Sequence, residues 1–181
     1  LLSNLNINKI NFKIFMIISL SSMGVLTFAQ ESVFFQDFET LVEGKGIKSK
    51  EMGGFNFWGK AKWKIINENE NNFARSNEVQ GLSLIKVIKL EAEKSYKWKL
   101  KVKPSGDNIS RGNLVFSILS GPKEDRHEYL KVPVKNIKPN NWSVHEFDFK
   151  VISGREKVTL SLYRWADGVV VDVDDFELIE Q

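Results

Sequence analysis

The chain has no cysteine among its 181 residues, two histidines and four prolines. Without cysteine there is no disulfide, no thiol nucleophile, no thiolate metal site and no lipid-modified cysteine of the bacterial lipoprotein kind. With only His127 and His145, acid–base chemistry has few candidates. There is no Gly-x-Ser-x-Gly elbow, no His-Glu-x-x-His and no phosphate loop. The charge is not one-sided either: 26 Lys+Arg face 23 Asp+Glu, a net +3. Two of those lysines and none of the acids lie in residues 1–29, so the remainder carries +1. That balance argues against nucleic acid as a partner. No repeat, proline-rich linker or low-complexity tail divides the sequence, and no stretch keeps a helical apolar period over three turns.

One long apolar run is present. Lys9 and Lys13 precede "IFMIISLSSMGVLTFA", residues 14–29, which holds no charge and ends with small Thr27 and Ala29 before Gln30. This is the three-part pattern of a secretory signal peptide, and the run is short for a membrane span of roughly 20 residues. Residues 1–29 are therefore expected to be a cleaved leader. Residues 30–181 are expected to be one exported domain without a membrane span, secreted, periplasmic or at the cell surface, and monomeric.

Within 30–181 the dominant spacing is two. Tyr96, Trp98, Leu100 and Val102 alternate with Lys97, Lys99, Lys101 and Lys103; Phe147, Phe149 and Val151 with Glu146, Asp148 and Lys150; Val158, Leu160 and Leu162 with Thr159, Ser161 and Tyr163. Residues 113–120 alternate likewise, and further strands are expected at 32–38, 61–66, 72–76, 83–90 and 129–135. Turn-rich pieces such as "PSGDN", "SGPKED", "KPNN" and "SGRE" separate them, and the polar run "NENENN", 67–72, reads as a loop. Leu90–Lys94 reads as a strand end and a hairpin turn. Short strands of this kind give an all-β fold, an antiparallel two-sheet jelly-roll β-sandwich. The last strand, "VVVDVDDFELIEQ", is interrupted by Asp172, Asp174 and Asp175, although Asp avoids strands.

Four stretches follow one another along residues 30–181: "FFQDFET", "LSLIKVIKLEAEKSYKWKLKVK", "NNWSVHEFDF" and "KVTLSLYRWADGVVVDVDDFELIE". Together they resemble a carbohydrate-binding module of the galactose-binding-domain-like jelly-roll group, nearest its xylan- and glucan-binding type. Phe35-Gln36 stands where that family has Asn-Gly, and Lys86 where it often has Gln. The resemblance implies a structural calcium, with Glu39 and Asp175 as ligands, Asp174 as a second choice and a backbone carbonyl near "EGKG", 43–46, completing the shell. The alternative for these acids is a bulge at which Asp174 and Asp175 accept backbone hydrogen bonds while Asp172 faces water.

The resemblance also implies a polysaccharide or oligosaccharide as ligand, held on the concave face of one sheet or among loops at one edge. Sugars present apolar C–H faces and hydroxyl rims, so exposed flat rings matter and buried ones do not. Tyr96, Trp98, Phe116, Phe147 and Phe149 occupy the inward register and are read as core, as is Trp63; Trp142 is read as packing at a strand entry. Tyr163 and Trp165, with Arg164 between them, lie opposite the inward row of their strand. Trp58 stands in the Gly-rich "GGFNFWGK", and Tyr129 borders a long loop. These five are the candidate ligand contacts. The lysine row 97–103, with about 7 Å between members, reads as a solvated face, or as a preference for uronate polymers if it flanks the site. Two other readings remain open: a structural or adhesive β-sandwich, and a small polysaccharide lyase or glycoside hydrolase, the lyase with Tyr129 or Tyr163, His127 and Arg126 as candidates.

Overall fold

Alternation of apolar and polar side chains leaves each strand with one face that must be covered, and two stacked sheets cover both at once. The computed structural model describes residues 32–44, 55–56, 62–77, 83–106, 114–134, 137–164 and 169–181, with Asn56 and Arg164 described by backbone alone. The leader expected at 1–29, with its cleavage point, lies outside them. Eleven strands are formed among the described residues: β1 (Ser32–Gln36), β2 (Phe55–Asn56), β3 (Trp63–Glu68), β4 (Asn71–Ser76), β5 (Ser83–Lys89), β6 (Ser95–Ser105), β7 (Leu114–Ser120), β8 (His127–Val134), β9 (Ser143–Lys150), β10 (Lys157–Arg164) and β11 (Val170–Glu180). The one helical turn among them is a 3-10 turn at Lys123–Asp125. No helix among the described residues is long and apolar enough to cross a membrane.

The strands make two antiparallel sheets. One has the order β3-β4-β11-β6-β9, with β1 also on β11; the other has the order β2-β5-β10-β7-β8. The fold is thus the expected all-β sandwich. Only β3–β4 and β7–β8 are hairpins, because every other consecutive pair of strands lies in opposite sheets. This corrects the hairpin turn read at Leu90–Lys94. The turn at Ala92–Glu93 does not close a hairpin but carries the chain from β5 to β6 across the sandwich, with Glu93 at φ 63°. The final pair β10 and β11 is likewise split between the sheets. "NENENN" is only in part a loop. Asn67, Glu68, Asn71 and Asn72 are strand residues, and Asn69 and Glu70, both at positive φ, form the two-residue turn that matches strand twist.

The core lies between the sheets. Trp63, Tyr96, Trp98, Phe116, Leu160 and Phe176 are all but fully buried there. Trp98 packs against Phe116, Phe147 and Phe176 with ring centroids 5.5–5.9 Å apart. Lys86 breaks the pattern. It sits on the inward row of β5 opposite Leu160 and Phe55, is 8% exposed, and holds its ammonium 3.9 Å from the Phe34 ring centroid. Burial lowers its pKa, and the ring faces offset part of the lost hydration.

β11 changes neighbours along its length. Asp172 and Val173 pair with β4, whereas Phe176–Ile179 pair with β1. Its register on β6 slips between Asp174 and Glu177, and Asp175 takes φ 45°. The extra residue is a bulge that re-aims the strand from one partner to the other.

Candidate functional site

On the five-stranded sheet, the face turned away from the core is read off the register. One row across it is Ser83, Tyr163, Val115 and Pro133; the next is Ile85, Ser161, Ser117 and Lys131. Tyr163 is therefore opposite in direction to Leu160 and Leu162, as the alternation on β10 requires, and is half-buried. The floor beside it is made of small hydroxyl side chains. Ser117 Oγ and Ser161 Oγ lie 2.8 Å apart, and Ser83, Ser117 and Ser161 are buried although they point away from the core. The centre of this face is thus withdrawn from water and lined by hydroxyls, with the half-buried Tyr163 ring beside it. Arg164 continues β10 opposite Leu114. Trp58 and Trp165 lie outside the described residues, as does the Arg164 side chain.

Tyr129 does not join this face. It sits at the open edge between β8 and β9, 5.8 Å from Phe149 and 4.6 Å from the His127 ring. Its hydroxyl donates to the Arg155 carbonyl (3.3 Å) and accepts from the Ile152 amide (3.4 Å). Arg126 is exposed and His127 half-buried at this same edge of the strand. The lyase candidates are accordingly split: Tyr129 and His127 are at a sandwich edge, while Tyr163 is on an outer sheet face. His145 turns inward, stacked on Phe116 at 4.8 Å and bonded to Ser143 Oγ at 3.0 Å, and burial lowers its pKa.

The acids assigned to calcium are each engaged separately. Glu39 Oε1 accepts from the Asn72 amide at 3.1 Å, and Asn72 Nδ2 fills the space between the carbonyls of Glu39 and Leu41. Asp174 accepts from Asn71 Nδ2 (3.2 Å) and from the Asp175 amide (2.9 Å); burial raises its pKa despite these bonds. Asp175 pairs with Lys101 at 2.5 Å, and that bond raises the lysine's pKa. Among the described residues no three acids or histidines converge on a point fit to hold a metal ion. Of the "EGKG" carbonyls expected to complete the shell, those of Lys45 and Gly46 lie outside the described residues.

Asp172 does not face water. It points outward from the six-stranded sheet yet is 0% exposed. Register puts it beside Arg75 on β4 and Lys103 on β6. It accepts from Arg75 Nε (2.7 Å) and Nη2 (2.9 Å) and pairs with Lys103 Nζ (3.1 Å). Glu68 bridges the same two cations at 2.8 and 3.2 Å. The hydrogen bond to Asp172 raises the arginine's pKa further; Glu68 is pushed up by burial but pulled lower overall by Arg75 and Lys103. The lysine row is thus largely neutralised, since Lys97 pairs with Glu146 and Lys101 and Lys103 pair as above. Trp142, one residue before β9, falls beside Lys103. It stands edge-on to Phe73 at 5.4 Å and is 38% exposed. Sequence placed it correctly at a strand entry but gave no sign of its company: its neighbours come from β4 and β6, and nothing local reports them.

No protein-family model matches the sequence, and no curated protein matches it. Solved structures do. The CBM22-1–GH10 modules of endo-1,4-β-D-xylanase 10B from Clostridium thermocellum, complexed with xylohexaose, superpose with a TM-score of 0.61 at 15% identity. That match covers 83% of this chain and 28% of the other, so this chain spans little more than a quarter of that protein. The CBM22-1 xylan-binding domain of Xyn10C from Paenibacillus barcinonensis gives 0.60 at 12% identity, covering 84% of this chain and 96% of the domain. The module TmCBM61, in complex with β-1,4-galactotriose, gives 0.50 at 14% identity, covering 80% and 94%. At these identities the shared property is the fold, a jelly-roll β-sandwich found in carbohydrate-binding modules.

Proposed function

We propose that this chain is an exported, non-catalytic carbohydrate-binding module that holds a polysaccharide on the outer face of its five-stranded sheet. One observation carries the reading: Tyr163 lies on that face in a row with Ser83 and next to the Ser117–Ser161 pair, in a fold shared with xylan-binding modules. An aromatic ring covers the apolar side of a pyranose, and hydroxyls bond its rim. Trp58, Arg164 and Trp165 are expected to add to the same grip. The dispersal of Tyr129, His127 and Tyr163 over two regions supports binding without chemistry, since acid–base catalysis needs convergent groups.

Native electrophoresis in gels containing xylan, mixed-linkage glucan, galactan or polygalacturonate tests this. Retardation by one polysaccharide, weakened by Tyr163→Ala, Trp58→Ala or Trp165→Ala, is the expected result. No retardation across the panel overturns the reading in favour of a structural or adhesive protein. An unsaturated product absorbing in the ultraviolet overturns the non-catalytic part. Amino-terminal sequencing of exported protein is expected to begin at Gln30.

A further inference from the structure

The six-stranded sheet carries a second arrangement that the reading above does not use. We propose that Trp142, with Glu68 and Arg75 at its rim, is a separate subsite for a neutral saccharide ring, on the sheet opposite to Tyr163.

The ring of Trp142 is propped from beneath. Phe73 meets it edge-on, and the Lys103 ammonium lies 4.8 Å from the Phe73 centroid and 5.0 Å from that of Trp142. Phe73 is buried although it points away from the core, so it acts as a pedestal rather than as part of the main apolar cluster. The segment carrying Trp142 is tied down by the Asn140 amide on the Pro104 carbonyl at 2.8 Å. A ring fixed in this way loses little freedom when a ligand stacks on it.

The polar groups are fixed too. Asp172 takes Arg75 bidentately, and Glu68 takes Arg75 Nη2 and Lys103. The Arg75 and Glu68 side chains are 31% and 44% exposed, so both still face water. A planar donor and a planar acceptor are then side by side, the pair that two adjacent sugar hydroxyls require. Stability alone does not account for the cluster, because a buried ion pair is often no better than apolar residues of the same size.

Charge decides the ligand class. Two cations, Arg75 and Lys103, are shared by two acids, Asp172 and Glu68, so the cluster is neutral. A uronate would have to displace Glu68 or sit against it. A neutral pyranose gains both hydrogen bonds without separating any charge.

Affinity electrophoresis of the exported protein separates this subsite from the first. The probes are soluble xylan, mixed-linkage glucan and polygalacturonate. Trp142→Ala and Glu68→Gln are each expected to weaken binding of a neutral polymer by about ten-fold. Tyr163→Ala leaves part of the retardation, and the Tyr163→Ala, Trp142→Ala double variant abolishes it. Trp142→Phe, which keeps an aromatic ring on the Phe73 pedestal, is expected to retain part of the binding while folding as the wild type. Trp142→Ala and Glu68→Gln both binding as tightly as wild type overturns the subsite and leaves the Tyr163 reading standing. A Trp142-dependent preference for polygalacturonate overturns the neutral ligand class. Loss of all retardation on Tyr163→Ala alone shows one site only, and also overturns the subsite.

Discussion

Asp172 is a carboxylate with no exposed surface on the face of a sheet that points away from the core, and it survives there because three charge-assisted contacts replace water. Removing it leaves Arg75 and Lys103 half-buried with Glu68 alone. Asp172→Ala is expected to cost about 3–5 kcal/mol of stability, read from urea unfolding. His145 gives a pH signature of known sign. Burial between Phe116 and Phe147 lowers its native pKa, so the unfolded chain takes up the proton first as pH falls. Its contribution is fully present above the unfolded value of about 6.5 and is lost as pH falls below it. The urea midpoint of His145→Phe is expected to drop less than that of wild type between neutral and mildly acid pH. At this scale the direction of each side chain was legible from alternation: Asp172 outward, His145 inward, Tyr163 outward. Burial was not, because Arg75 and Lys103 reach Asp172 from strands far away in sequence.

The bulge in β11 explains the interrupted last strand. Asp175 adopts positive φ, which Asp tolerates better than most residues, and Asp174 caps the kink by accepting the next amide. Asp175 pairs with Lys101, and Asn72 bonds the Glu39 and Leu41 carbonyls, so each of these groups has a protein partner. The melting temperature of EDTA-treated protein is accordingly expected not to move when millimolar calcium is added; a rise restores the calcium site. Gly121, at φ 81°, ends β7, and a Cβ there would collide with the Asp125 carbonyl oxygen and Arg155 Nη1. Gly121→Ala is expected to cost about 1–3 kcal/mol by thermal unfolding. Strands as long and as regular as β6 and β9 were legible because period two extends along them. β2 was missed because two residues, Phe55 and Asn56, carry no period. Sheet membership was also hidden: the turn at Ala92–Glu93 has hairpin residues, but β6 pairs with β11 and β9, strands far away in sequence, in the opposite sheet.

At the scale of the whole molecule, the two outer faces differ. One offers hydroxyls and Tyr163, the other a neutral ion cluster under Trp142. The sandwich was legible in sequence because almost every strand has one apolar side. The candidate site was legible only where alternation reaches it. The order of strands has a further effect. β11, the last of the described strands, is the middle of the six-stranded sheet, touching β6 on one side and β4 and β1 on the other. During synthesis from the amino end, the earlier strands of that sheet have a gap where their shared neighbour belongs. Assembly is therefore held back until β11 emerges, and loss of that one strand would abolish the sheet instead of trimming it.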